Sequence, residues 1–193
     1  MKTILNTLKS RFTTFARDDS RGSVSVEAAL IFPVVMWALL AMFVFFEGYR
    51  QSGINHKAAN TIADMYSRET MAITPLYVDN TKDLFDIMSE ANSDTRVRIS
   101  VIKWSKRKNR YEVDWSEVRG GSINTMSDST VAMVSDKLPT LPPEERVILV
   151  ETWSTFTPLF NIGMDPVEIR TFVFTRLRFA PQLPFCRSGN CEV

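Results

Sequence analysis

Few side chains in this sequence have the type and spacing that catalysis, ion pairing or covalent cross-linking requires. Glu27 stands directly before a long uncharged run, and Cys186 and Cys191 lie close together near the end of the sequence. A carboxylate on a membrane helix costs up to about 3 kcal/mol at the bilayer centre, and the cost falls near the interface and close to an amine. Glu27 is therefore interpreted either as a charge that pairs with an amine or as an interfacial charge that merely flanks a helix.

The two cysteines enclose a short segment with a glycine that permits a tight turn. They have neither the CxxC spacing nor the histidine companions of a zinc site. Outside the cytoplasm, oxidation is the expected fate of such a pair, so we expect a disulfide between Cys186 and Cys191, with two free thiols as the alternative. Because the closed loop is short, the bond would stabilise the fold only locally.

Catalytic chemistry is not indicated by the remaining residues. His56 is the only histidine, and the sequence contains no P-loop, GxSxG or HExxH motif. Glu144 and Glu145 are adjacent acids in a proline-rich connection and are most simply solvating charges. We therefore expect a protein that is not an enzyme and that binds neither a cofactor nor a metal.

The element that must position Glu27 is the apolar run that follows it. Residues 28–46 read AALIFPVVMWALLAMFVFF and carry no charge. As a helix this run would be about 28 Å long, close to the roughly 30 Å of bilayer hydrocarbon. A buried core helix usually keeps a polar stripe, which this run lacks, so we expect a transmembrane helix over residues 23–46. The net charge of +1 argues against nucleic acid as a partner.

The charges on either side of the run predict its orientation. The first 22 residues are rich in basic side chains, whereas the stretch after the run carries only Arg50 and Lys57 before Asp64. By the positive-inside rule the N-terminus stays in the cytoplasm and the rest of the chain is translocated. An ordinary secretory signal is not favoured, because Phe46 and Glu47 stand where signal peptidase would need small residues.

The residues before the run carry a family resemblance. Arg21 to Glu27 reads RGSVSVE, with a glycine after a basic leader and a glutamate five positions later. This resembles the signal of type IV prepilins. The resemblance implies that a prepilin peptidase cuts after Gly22, so that residues 1–22 are a cytoplasmic leader and Ser23 becomes the new N-terminus. It also implies that Glu27 neutralises the N-terminal amine of a neighbouring subunit.

A longer stretch, RGSVSVEAALIFPVV, is similar to the start of TadE-like proteins, the minor pseudopilins of the tight-adherence (Flp) pilus system. The shared features are Gly22, the Val26-Glu27 pair and Pro33, while Ala28 replaces the aromatic residue of many members. A second patch of resemblance is VILVETWSTFTPLF over residues 147–160. With the apolar span that continues the first patch to residue 46, and the segment that continues the second patch to Pro181, the resemblance covers about a third of the chain.

The resemblance implies a role in pilus assembly and adhesion. Its partners would be other pilin-like subunits, the Tad machinery in the membrane and the prepilin peptidase. The expected location is the bacterial inner membrane, with a cytoplasmic N-terminus, a periplasmic C-terminal domain and association with the pilus. The alternative is an uncleaved signal-anchor protein that displays a domain for an envelope ligand.

The rest of the chain predicts an α+β fold. Ile54, Ala58, Ile62 and Met65 form a helical stripe, so residues 47–73 are interpreted as an amphipathic stem that packs either on neighbouring helices or on its own domain. Residues 74–193 are expected to form a small antiparallel-sheet domain with two or three helices.

Within this domain we expect four strands. Two alternating runs, 96–104 and 111–118, predict a hairpin with Tyr111, Val113 and Trp115 on one face; two more strands are expected at 146–156 and 168–178. A short helix should be capped by Asn80 or Thr81. Basic residues at the hairpin tip favour either a solvated turn or a site for anionic lipids or an acidic partner; they are Lys103, Lys106, Arg107, Lys108 and Arg110.

Overall fold

The computed structural model describes residues 20–90 and 94–187, with side chains described from residue 24 onward. Its helices are α1 (Ser20–Arg68), α2 (Pro75–Ser89) and the short α3 (Asp128–Met133), which is followed by a 3-10 turn, Ser135–Lys137. Its strands are β1 (Arg96–Ser105), β2 (Arg110–Arg119), β3 (Arg146–Phe156) and β4 (Val167–Arg176). The α+β class expected from the sequence is confirmed.

The four strands form one antiparallel sheet in the order β2-β1-β3-β4. β1 and β2 are the predicted hairpin, and β3 pairs with β4 in an unbroken register from Val147↔Arg176 to Phe156↔Val167. The central strands β1 and β3 are buried over most of their length, whereas β2 and β4 are edge strands with more exposed side chains.

The chain divides into two compact units. The first contains α1 up to Phe46, together with Phe160–Gly163, and in it the rings of Phe43 and Phe160 meet edge to face at 6.2 Å. The second begins at Glu47 and contains the rest of α1, the sheet, α2 and α3. The predicted stripe on this part of α1 packs on the unit's own sheet, because Ala58 and Ile62 are buried in its core.

One hydrophobic core lies between the helices and one face of the sheet. α1 contributes Ile62 and Tyr66, α2 contributes Phe85, and the sheet contributes Ile99 and Val150 among others. The rings of Tyr66 and Tyr77 meet edge to face at 5.2 Å. Burial of these large side chains is the main favourable contribution to the stability of the second unit.

A second core covers the opposite face of the sheet and is closed by α3 and the 3-10 turn. Its buried residues include Ile102, Val131, Leu138 and Leu149. Trp104 and Tyr111 pack against this core with their rings 4.8 Å apart. Both faces of the sheet are therefore covered, which explains why β1 and β3 have few exposed positions.

A β-bulge changes the expected faces of β2. Val101 pairs with Trp115 and Ile102 with Val113, so Asp114 is an extra residue on β2. As a consequence Trp115 packs against the first core, while Val113 packs against the second. The prediction that Tyr111, Val113 and Trp115 share one face was wrong, because strict alternation fails at a bulge.

The start of α2 also differs from the prediction. Its N-cap is Thr74, whose side-chain oxygen accepts a hydrogen bond from the backbone N–H of Tyr77 at 3.2 Å. Pro75 occupies the first turn, where a proline costs no helical hydrogen bond. The expected cap at Asn80 or Thr81 was wrong: Thr81 lies inside the helix and is buried.

Candidate functional site

The exposed surface of the first unit is apolar. In the most apolar window of α1, 18 residues long, only 6% of the residues are buried. Leu30, Phe32 and Met42 each expose more than 60% of their side-chain area. The helix is long and apolar enough to cross a membrane and lies near the N-terminus of the chain. An exposed apolar surface of this kind requires cover from lipid or from other protein.

Glu27 lies on this helix among apolar neighbours. It shares a shallow patch with Val24, Ala28, Ile31 and Val35, which the helical repeat places along one side of α1. Glu27 is exposed, and among the described residues it has no ion-pair partner. The carboxylate is therefore available to a charge from outside the described part of the chain.

The remaining N-terminal residues of interest belong to the same helix. The bond between Gly22 and Ser23 lies within α1, whose backbone is described from Ser20. Pro33 also lies inside α1. A proline has no backbone N–H, so the carbonyl oxygen of Ala29 lacks its usual helical donor and the helix is weakened at this point.

The segment that carries Cys186 is fixed to the second unit. The backbone N–H of Cys186 donates to the carbonyl oxygen of Ile73 at 2.8 Å, and the N–H of Ile73 donates to the carbonyl oxygen of Pro184 at 2.9 Å. Among the described residues no cysteine is free. Cys191 lies outside the described residues, so the disulfide between Cys186 and Cys191 stays a prediction.

The basic hairpin tip is largely neutralised by acids. Lys108 Nζ lies 2.5 Å from Glu112 Oε1 and holds the pKa of that carboxyl below its ordinary value. Arg110 lies 3.5 Å from the same oxygen, and Lys103 lies 3.3 Å from Asp114. Lys106 and Arg107 have no ion-pair partner among the described residues. This arrangement favours a solvated turn over a dedicated anion site.

A cavity of about 770 Å³ lies beside the hairpin tip. Trp104 and Tyr111 form part of its wall, and Arg110, Asp128 and Asp136 supply charged groups. The hydroxyl of Tyr111 donates to the carbonyl oxygen of Pro139 at 2.8 Å, which fixes one wall of the cavity. Among the described residues no group of three His, Cys, Asp or Glu side chains could hold a metal ion.

One charged cluster was not foreseen from the sequence. Glu151 is fully buried in β3, where Arg98 Nε donates to its Oε2 at 2.7 Å and Arg170 lies 2.5 Å from its Oε1. Both guanidinium groups also lie over the ring of Trp153, at 5.3 and 5.2 Å from its centre. The available signal was a single acid inside the otherwise uncharged run VILVETWSTF.

No protein-family model matches this chain, and no curated protein or solved structure is significantly similar to it.

Proposed function

We propose that this chain is a single-pass inner-membrane protein that takes part, as a minor pseudopilin, in the assembly of a tight-adherence (Flp) type IV pilus. The observation that carries the proposal is the exposed apolar face of α1 with one carboxylate near its start, Glu27, which has no ion-pair partner in the part of the chain that the structure describes. In this proposal the chain is not an enzyme, and the force for assembly comes from other components.

Two surfaces of the protein would have different roles in assembly. The apolar part of α1 would first lie in the bilayer and then pack against the helices of other pilin-like subunits, because both environments cover apolar side chains equally well. The second unit, with its sheet covered on both faces, would be translocated and would contact other subunits outside the cytoplasm.

Cleavage after Gly22 would give Glu27 its partner. The new α-amine at Ser23 would carry a positive charge over much of the physiological pH range, since the pKa of such amines is about 7.7–8.0. Within one chain this amine would lie one helical turn from Glu27, and in an assembly the amine of a neighbouring subunit could replace it. An amine–carboxylate bond between subunits would fix their axial stagger.

Replacement of Glu27 tests this mechanism. In cells that assemble the pilus, Glu27→Ala and Glu27→Gln should abolish pili and weaken co-purification with other pilin-like subunits roughly 30-fold, since a hydrogen bond between charged groups is worth about 2 kcal/mol. Glu47→Ala is the matched control, because Glu47 pairs with Arg50 of its own chain at 2.7 Å. Normal pili and unchanged partner association in Glu27→Ala would contradict the mechanism and favour a signal-anchor protein that displays its folded unit.

A further inference from the structure

Strand β4 is an edge strand, and within residues 20–90 and 94–187 no other strand pairs with its outer side. Its ten residues pair with β3 in a continuous register without a bulge. No described residue of the second unit makes a backbone hydrogen bond with the other side of β4, because the only bonds outside the helices and strands in this region begin at Arg178. A regular, unpaired edge of this length is a template for another strand.

The opposite edge of the sheet is occupied. On β2 the backbone N–H of Val113 donates to Asp128 Oδ1 at 2.9 Å, so this donor is not available to another strand. The bulge at Asp114 further interrupts this edge. The edge of β4 is therefore more regular than the edge of β2 and is the better template for an added strand.

The sequence of β4, VEIRTFVFTR, is complementary to itself. If two copies pair antiparallel with Phe172 opposite Phe172, each Glu168 faces an Arg176 and each Arg170 faces a Phe174. The other face of the strand pairs Ile169 with Thr175. Opposite charges and aromatic pairs directly across a strand pair are stabilising.

Other antiparallel registers of two β4 strands lack this complementarity of charges and aromatic rings. A shift that centres the pair on Val173 places Arg170 opposite Arg176, and one centred on Phe174 places Arg170 opposite Arg178. Centring on Thr171 leaves Glu168 opposite Phe174 without a basic partner. Like charges directly opposite one another are destabilising, so the register centred on Phe172 is favoured.

The side chains that this register requires are accessible. Arg170 and Phe174 are each exposed over more than 40% of their area. Glu168 bonds to Arg96 and Arg176 to Glu145 in the same chain, but Glu168 and Arg176 are each at least half exposed and can make a second contact. Phe172 packs partly on the second core, which would hold the central residue of the pair in place.

We propose that β4 pairs with β4 of a second copy of this chain, about a two-fold axis at Phe172, and joins two four-stranded sheets into one. Such an interface uses the same patch on both copies and is closed, so it produces a dimer and not a fibre. The inference concerns the second unit alone and does not depend on the role of Glu27 or on pilus assembly.

Site-specific cross-linking of the full-length protein in detergent tests the register. Ile169→Cys and Thr175→Cys chains with different tags are mixed and oxidised, which leaves the ion pair between Arg170 and Glu151 intact. Opposite residues of antiparallel strands have Cα atoms about 5 Å apart, within reach of a disulfide. We expect the mixed dimer to form, and neither variant to cross-link with itself, because its own two cysteines would lie about 20 Å apart along the strands. The unchanged chain, with Cys186 and Cys191, gives the baseline.

A charge reversal across the same interface distinguishes a loss of pairing between two β4 strands from a loss of folding of the chain. Glu168→Arg on the Ile169→Cys chain should lower the yield of mixed dimer roughly tenfold, because it places two arginines opposite each other. Arg176→Glu on the Thr175→Cys chain should then restore the yield, although it changes nothing within the first chain. Absence of the mixed dimer, self-cross-linking of either single variant, or failure of this rescue would overturn the proposal.

Discussion

At the scale of single residues, the charge at Glu151 is the least expected feature of the fold. A carboxylate with no exposed area is tolerated only when its oxygens are paired, and here each oxygen bonds a guanidinium group. Arg98 is itself almost fully buried and also donates to the carbonyl oxygen of Asn124 at 3.0 Å. The cluster thereby ties β1, β3, β4 and the segment after β2 together.

Removal of the Glu151 charge should therefore be costly. Glu151→Gln would leave the guanidinium of Arg98 buried and unpaired, so we expect the free energy of unfolding to fall by about 3–5 kcal/mol. This change in the free energy of unfolding is measured by denaturant unfolding of the detergent-solubilised protein, monitored by tryptophan fluorescence. Glu145→Gln is the control, since its partner Arg176 is mostly exposed, and this change should cost about 1 kcal/mol or less. Equal costs for the two variants would refute the assignment.

The burial of Tyr66 predicts that the protein becomes less stable at alkaline pH. Its ring is buried, its hydroxyl lies 3.0 Å from Thr81 Oγ1, and burial raises its pKa above the ordinary value. Above pH 10 the unfolded chain loses this proton while the folded chain keeps it, so the free energy of unfolding falls as the pH rises.

The Tyr66→Phe variant isolates this contribution. At pH 8 it should be less stable by about 1 kcal/mol, because one hydrogen bond is lost while Thr81 still donates to the carbonyl oxygen of Tyr77. Between pH 10 and 11 the difference from the unchanged protein should shrink, since phenylalanine cannot ionise. A difference that stays constant from pH 8 to pH 11 would show that Tyr66 does not contribute in this way.

At the scale of the elements, residue patterns predicted most of the strands but not every face. The strands predicted at 96–104 and 111–118 agree with β1 and β2 to within one residue at each end. The error at Val113 and Trp115 came from one extra residue, which no alternating pattern can reveal. The cap of α2 was missed for a different reason: the helix begins at Thr74 and Pro75, several residues before the expected cap, because a proline is compatible with the first turn of a helix.

The position of the bulge predicts how the protein responds to the deletion of single residues from β2. Removal of Asp114 would leave Val113 opposite Ile102 and Trp115 opposite Val101, with every side chain on its present face. We expect this variant to unfold cooperatively, with a loss of about 1 kcal/mol or somewhat more from the broken ion pairs with Lys103 and Arg146.

Deletion of Ser116 is the matched comparison. It removes a residue from the regular part of β2, so Trp115 or its neighbours must move to the wrong face. This variant should lose cooperative unfolding. Greater tolerance of the Ser116 deletion than of the Asp114 deletion would contradict the assigned register.

At the scale of the whole molecule, the two units present opposite kinds of surface. The first exposes large apolar side chains, whereas the second encloses two cores around a sheet. The apolar run was evident from the sequence because it needs no tertiary contact to be recognised. The strand order could not be predicted, because alternation identifies the buried face of a strand and not its neighbouring strand. The apolar run of β3, in which Glu151 is the only charge after Arg146, was the one hint that β3 is a central strand.

The most direct test of the central claim is the N-terminal sequence of the protein. It is extracted from membranes of cells that contain their own prepilin peptidase and analysed by mass spectrometry. Our account predicts a start at Ser23, with Glu27 as the fifth residue of the mature chain. A start at Met1 would contradict prepilin processing and leave a signal-anchor protein that displays its folded unit.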